Sequence, residues 1–239
     1  MDHGTIRAIM KHKIAAILFG TFVCSTVWAA DSTVSDAIAK LKAADNYSWT
    51  VTTTVPPDAP FTPAPINGQT SSAGFVHYST SFNDNTTDAV AKGTKVAYKG
   101  DNGWQLAAVT QDFSPDIMAL NMAKNGAPAE EAALILKGVK EVKPLDGGAV
   151  GGDLTTEAVT DLMTFGPRGS KPVFPAPKNC KGSAKFWIKD GALVKYQTHM
   201  TGTASFNDTD TPLDFTRTTE IKDVGTTKTD IPDDAKKKL

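Results

Sequence analysis

Arginine, histidine and cysteine are scarce in this 239-residue chain, and each scarcity closes off a class of chemistry. Arg7, Arg168 and Arg217 are the only arginines, so the planar fork that reads phosphates and base edges has little to work with, and no nucleic-acid partner is expected. Beyond the first thirty residues only His77 and His199 remain, in no His-x-x-x-His spacing, and Cys24 and Cys180 form no Cys-x-x-Cys. No metal site or cofactor is expected from that set. Cys180, flanked by Lys178 and Lys181, has no partner for an internal disulfide once the leader is set aside, and no Cys-His-Asn arrangement is legible around it. Stability must then come from a hydrophobic core, which a single domain of about 210 residues can supply.

Long apolar runs are missing too, apart from Ile14 to Val27. That stretch follows the basic residues Arg7, Lys11 and Lys13 and falls short of the roughly 20 residues that span a bilayer. Small residues close it, with Val27 and Ala29 at the −3 and −1 positions of a cut before Ala30, or Ala30 as the alternative −1 residue. Phe22 and Val23 are too bulky to precede a lipid-modified Cys24. The expectation is a signal peptide over 1–29 and a single domain over 30–239, periplasmic or secreted, with no integral membrane span after cleavage. Removing Arg7, Lys11, Lys13 and Asp2 from 25 basic and 26 acidic side chains leaves a formal charge of −3.

The pattern of the remainder alternates between helical and strand periods. Val34, Ala37, Ile38 and Leu41 recur at helical spacing, and Tyr47 to Val55 alternates large residues with threonines as a strand does. Pro56 to Gly68, with five prolines, reads as a loop. Strands over Ala73–Phe82, Thr86–Ala91 and Thr94–Lys99, then a tight turn before Trp104, suggest a meander. Ser114-Pro115-Asp116 opens a helix bearing Ile117, Met118, Leu120 and Met122 that stops at Asn125-Gly126. Pro128, Glu130 and Glu131 open the next, filled by Ala133, Leu134 and Leu136 and ended by Gly138. Thr155-Thr156-Glu157 caps a third, bearing Val159, Leu162, Met163 and Phe165, and Gly166 to Lys181 is a second loop with four prolines. Strands over Ser183–Lys189, Ala192–Phe206 and Leu213–Asp223 follow, with a last edge over Thr226–Ile231 and a polar end of one loose helical turn. This order of helix, strands, helices and strands is α+β, with an antiparallel sheet and helices gathered on one face.

Active-site patterns do not assemble. His77 and His199 each fall inside a strand, Asn207-Asp208-Thr209-Asp210 lacks the sixth-position Gly and twelfth-position Glu of a calcium loop, and Gly147 to Gly152 matches no phosphate-loop spacing. A non-enzymatic protein is expected. What the chain does carry is apolar and adaptable: Trp49, Trp104 and Trp187 with Phe186 and Tyr196 on strands, and Met118, Met122, Leu162 and Met163 on helices. Such residues line pockets for small apolar ligands, and equally they fill cores.

Two stretches carry a family resemblance: Lys181-Gly182-Ser183-Ala184-Lys185-Phe186-Trp187-Ile188-Lys189-Asp190-Gly191, and Asp223-Val224-Gly225-Thr226-Thr227-Lys228. Asp153-Leu154-Thr155, at the start of a late helix, is similar as well. On these the chain resembles a group of exported proteins of Verrucomicrobia-type bacteria and, more remotely, the lipoprotein-carrier and lipid-binding lipoprotein superfamily of LolA/LppX type. The resemblance implies a curved, unclosed antiparallel half-barrel with helices across its concave face, enclosing an apolar cavity for acyl chains. This chain departs from the lipid-anchored members in lacking a lipobox, and its two Pro-rich loops are not part of the pattern. No binding residue matches position by position, so none is carried over. The expected function is a carrier that holds a lipid or other hydrophobic small molecule between sheet and helical lid, with the nine aromatic, Met and Leu residues above as candidate lining. The alternative is an interaction module that meets an envelope protein through its sheet edge or Thr-rich face.

Overall fold

A computed structural model describes residues 26–59, 61–82, 85–206 and 209–239. The leader up to residue 25, with Cys24, and Asn207 and Asp208 of the calcium-loop-like turn lie outside the described residues. In chain order the elements are α1 (Thr26–Lys42), β1 (Ser48–Thr54), β2 (Ile66–Thr70), β3 (Phe75–Phe82), β4 (Asn85–Lys92), β5 (Lys95–Gly100) and β6 (Gly103–Leu106). Then come α2 (Pro115–Met122), α3 (Pro128–Gly138), β7 (Lys143–Pro144), β8 (Ala149–Asp153), α4 (Thr156–Met163), β9 (Lys178–Lys189), β10 (Ala192–Phe206), β11 (Thr209–Lys222) and α5 (Asp233–Lys236).

Among the described residues the eleven strands join one antiparallel sheet in the order β6-β5-β4-β3-β2-β1-β11-β10-β9-β8-β7. Its two meanders meet where β1 pairs with β11, from Ser48 opposite Lys222 to Thr54 opposite Thr216. The sheet is an unclosed half-barrel whose edges are the four-residue β6 and the two-residue β7. Because side chains alternate across a strand, one face collects Trp49, Val51, Tyr78, Phe186, Tyr196 and Met200, all buried. α1, α3, α4 and α2 lie over that face, α1 by the stripe Val34, Ala37, Ile38 and Leu41 that its periodicity announces. The caps are those expected: Ser114 Oγ accepts from the Ile117 N–H at 3.3 Å, and Thr155 Oγ1 from the Ala158 N–H at 3.2 Å.

Several elements differ from the sequence-based expectation. β2 begins at Ile66, inside the expected loop, because the prolines end at Pro65 and Gly68 provides a floor for the Trp49 ring, which a Cβ there would meet at 2.1 Å. The buried stripe of α3 is Pro128, Ala129, Glu131, Ala132, Ile135 and Gly138, while Leu134 points outward, 39 % exposed. β9 starts at Lys178 and β11 at Thr209, earlier than their apolar runs suggest. β11 takes in Pro212, which is tolerated because β1 ends opposite Thr216 and only β10 pairs with the strand there. Phe165 lies beyond the end of α4. Thr226–Ile231 forms no strand; Thr229 Oγ1 donates to the Thr70 carbonyl at 2.7 Å and the chain passes on to α5. Nor is the C-terminal turn loose: Ile231 and Ala235, one helical turn apart, are buried with Val90 in a small second core that Phe75, Trp104 and Leu239 complete.

Candidate functional site

Strand alternation divides the expected lining residues between the two faces of the sheet. Trp49, Phe186 and Tyr196 lie on the helix-covered face, the Phe186 and Tyr196 rings 6.5 Å apart. Trp187, one residue on, points to the other face, where its indole N–H donates to the Gly147 carbonyl at 3.2 Å and the Lys195 ammonium sits 4.0 Å from its ring centre. Trp104 also leaves the group, since it packs under the C-terminal turn in the second core. Met122 borders an internal void beside Trp49, Leu162 borders a second beside Tyr196, Met163 packs against Gly202, and Met118 is half-buried on α2.

Around Glu131 the space between sheet and helices is nearly full: those two voids measure only ≈ 20 and ≈ 10 Å³. Glu131, 5 % exposed, occupies the space between them. Its carboxylate accepts from Arg217 Nη1 of β11 at 2.7 Å, from the Tyr196 hydroxyl of β10 at 2.5 Å and from Asn125 Nδ2 at 2.8 Å. Burial alone would raise the Glu131 pKa, but the charge and hydrogen bond of Arg217, with the Tyr196 and Asn125 bonds, outweigh it and hold the group below its usual 4.5. Burial, then the adjacent carboxylate, push the Tyr196 phenol well up, so it donates a proton and does not lose one. A further tie reaches the same helix: the Tyr47 hydroxyl accepts from the Ala129 N–H at 3.3 Å, satisfying one of the orphan donors of the first turn of α3. The cluster is therefore a clamp between α3 and the sheet, with no open position for a substrate.

Open space lies elsewhere on the same face. A cleft of ≈ 310 Å³ runs between β3, β4, β5 and α2, floored by Val76, Tyr78, Ala91, Val96 and Leu120. Tyr78 and Gly126 border both this cleft and the void at Trp49 and Met122, and among the described residues the buried Tyr78 hydroxyl has no hydrogen-bond partner. Lys124 and Arg168 stand at the rim. Lys124 Nζ donates to the Asp161 carbonyl at 2.5 Å and to that of Thr164, at the C-terminal end of α4, and Arg168 pairs with Asp161. Burial pushes the Lys124 pKa down to about 8, against the opposing pull of Asp161. A larger groove, ≈ 590 Å³, crosses the outside of α1 and α3, with charged Asp31, Lys137, Lys140 and Glu141 among its walls.

His77 bonds Asp88 and Gln69, and His199 bonds Asp214, all on the uncovered face. Among the described residues no three His, Cys, Asp or Glu side chains gather as metal ligands, and no helix is long and apolar enough to cross a membrane. Cys180 is buried, its Sγ 3.5 Å from the Pro177 carbonyl. Sequence reasoning missed Glu131, Arg217, Asn125 and Lys124. Two signals could have found the ionic pair: Arg217 shares strand parity with Ile221, and Glu131 shares helical spacing with Pro128 and Ile135. Lys124 carries no comparable mark.

No protein-family model and no curated protein matches the chain. Among solved structures it is similar to the lipoprotein LppX of Mycobacterium tuberculosis, at 12 % identity and a TM-score of 0.45, covering 84 % of this chain and 97 % of that one. LprF of Mycobacterium bovis is similar at 15 % identity and a TM-score of 0.44, covering 88 % and 99 %. A LolA-superfamily protein of Nitrosomonas europaea is similar at 8 % identity and a TM-score of 0.33, covering 88 % and 96 %. The LolA/LppX-type likeness expected from the sequence is thus found, remotely, among solved structures.

Proposed function

We propose that this chain is an exported, non-enzymatic carrier of a hydrophobic or amphiphilic small molecule, held on the helix-covered face of the half-barrel. The observation that carries this reading is the cleft beside α2, which shares Tyr78 and Gly126 as walls with the void at Trp49 and Met122. Its volume lies at the lower end of the roughly 300–1,000 Å³ of small-molecule sites. Val76, Ala91, Val96 and Leu120 give it apolar walls, Lys124 and Arg168 add two cations, and its Tyr78 carries a buried hydroxyl that has no hydrogen-bond partner among the described residues. A buried unsatisfied hydroxyl costs stability until a partner arrives, so Tyr78 favours a ligand that brings one polar atom inward. An acyl chain longer than the cleft would need α2 to shift away from β4 and β5, while the Glu131 clamp keeps α3 and, through Asn125, the connection before it in place.

Native mass spectrometry of the purified protein tests this. A co-purifying amphiphile, or uptake of a fluorescent fatty acid that Ala123→Trp abolishes by filling the cleft, is the expected result. Protein that is free of amphiphile and takes up none contradicts it. The alternative of strand addition at a sheet edge finds little backbone to use, because the edges are strands of four and two residues.

A further inference from the structure

We propose that the aromatic patch of Phe113, Phe165 and Phe174 docks this protein onto an anionic lipid bilayer. Phe113 precedes α2, Phe165 follows α4, and Phe174 belongs to the Pro-rich loop that leads to β9. Separate stretches of chain thus bring three rings together, their centres 5.6, 5.8 and 6.1 Å apart. The cluster is not closed over: Phe113 is 61 % exposed, and earlier on the connection from β6 to α2 Val109 is 57 % exposed. Large apolar side chains held at a surface in this way mark a face that another apolar phase covers.

Charge identifies that phase. From Gly166 to Lys181 the chain carries Arg168, Lys171, Lys178 and Lys181 and no acidic residue, in a protein whose formal net charge is −1. Asp161 is paired with Arg168, and Asp112 precedes Phe113. Lys171 and Lys178 are both exposed and flank Phe174 in the chain, and the half-buried Phe174 ring packs on the exposed Phe113. That combination suits a bilayer, in which rings enter the acyl boundary while ammonium groups meet anionic headgroups. Pro172, Pro175 and Pro177 restrict the loop before it binds, which lowers the ordering cost of docking. The placement also deepens the carrier reading, and rests on it for this clause alone: Pro167 and Arg168 belong to both the basic loop and the cleft rim, so docking would set the cleft mouth at the lipid surface.

Vesicle flotation tests the docking without any cargo, so its outcome is separate from whether the cleft carries a ligand. The exported form of the protein is mixed with vesicles of phosphatidylcholine alone and of phosphatidylcholine with phosphatidylglycerol. Binding to the second and not the first is expected, weakening with added salt. Phe113→Ser should lower it roughly tenfold, and Lys171→Ala about fivefold. Denaturant unfolding of both variants should match the parent, since both sites are exposed. No binding to the anionic vesicles, or equal binding by the parent and Phe113→Ser, would overturn the proposal.

Discussion

The two halves of the covered face are closed by different means. Over β8 to β11 lie α1, α3 and α4, and the buried Glu131 ties α3 to Tyr196 and Arg217 at the centre of the sheet. Over β3 to β5 lies α2 alone, eight residues long, resting on small and medium side chains such as Ala89, Ala91 and Val96. The space left behind follows the closure. Voids of ≈ 20 and ≈ 10 Å³ remain around Glu131, against ≈ 310 Å³ beside α2. One continuous apolar face is thus tightly filled around a buried charge cluster in one half and left with open space in the other.

Breaking the clamp should have the largest effect. Glu131→Ala strands Arg217 and the Tyr196 hydroxyl and should cost about 3 kcal/mol, the low end for a broken buried pair because Arg217 keeps 29 % of its side chain exposed. Urea denaturation measures this, and a loss below about 1 kcal/mol would erase the contrast between the halves. The same pair sets an acid limit. Because the folded-state pKa of Glu131 lies below its ordinary 4.5, its contribution is complete above that value and is lost as pH falls through the depressed one. The parent should lose stability toward Glu131→Ala over that range, and parallel pH profiles would refute the assignment.

Gly68→Ala probes the strands between the two halves, where β2 supports Trp49 on β1. The added methyl would sit 2.1 Å from the indole, so overpacking should cost about 1–3 kcal/mol in thermal or denaturant unfolding. An unchanged Tm would mean that Trp49 has room to move.

The smallest effect concerns Lys124. Its folded-state pKa of about 8 lies below the ordinary 10.5, so between them the unfolded chain binds more protons and stability should rise with pH. Binding of an anionic amphiphile should fall over the same range as the rim loses a charge. Lys124→Met should flatten both slopes; persistence of either would remove Lys124 from the account.

Much of the fold was legible because it depends on local patterns. The stripe of α1, the caps at Ser114 and Thr155, the Asp190-Gly191 hairpin and the opposed faces of Phe186 and Trp187 all follow from period and turn chemistry. The site was less so. Nothing local distinguishes Trp104 under a C-terminal turn from Trp49 under a helical lid, because that depends on which face a distant segment covers. Glu131 likewise reads as an ordinary first-turn acid until Arg217, 86 positions away, is placed opposite it.

The central claim is that a ligand enters the covered face beside α2. Quenching by a fatty acid brominated along its chain tests it in two chains whose other three tryptophans are phenylalanine, one keeping Trp49 and the other Trp187. The account predicts strong quenching of Trp49, which borders the void behind the cleft, and none beyond solution collisions for Trp187, which faces the opposite side. Equal quenching of the two, or quenching of Trp187 alone, would contradict it.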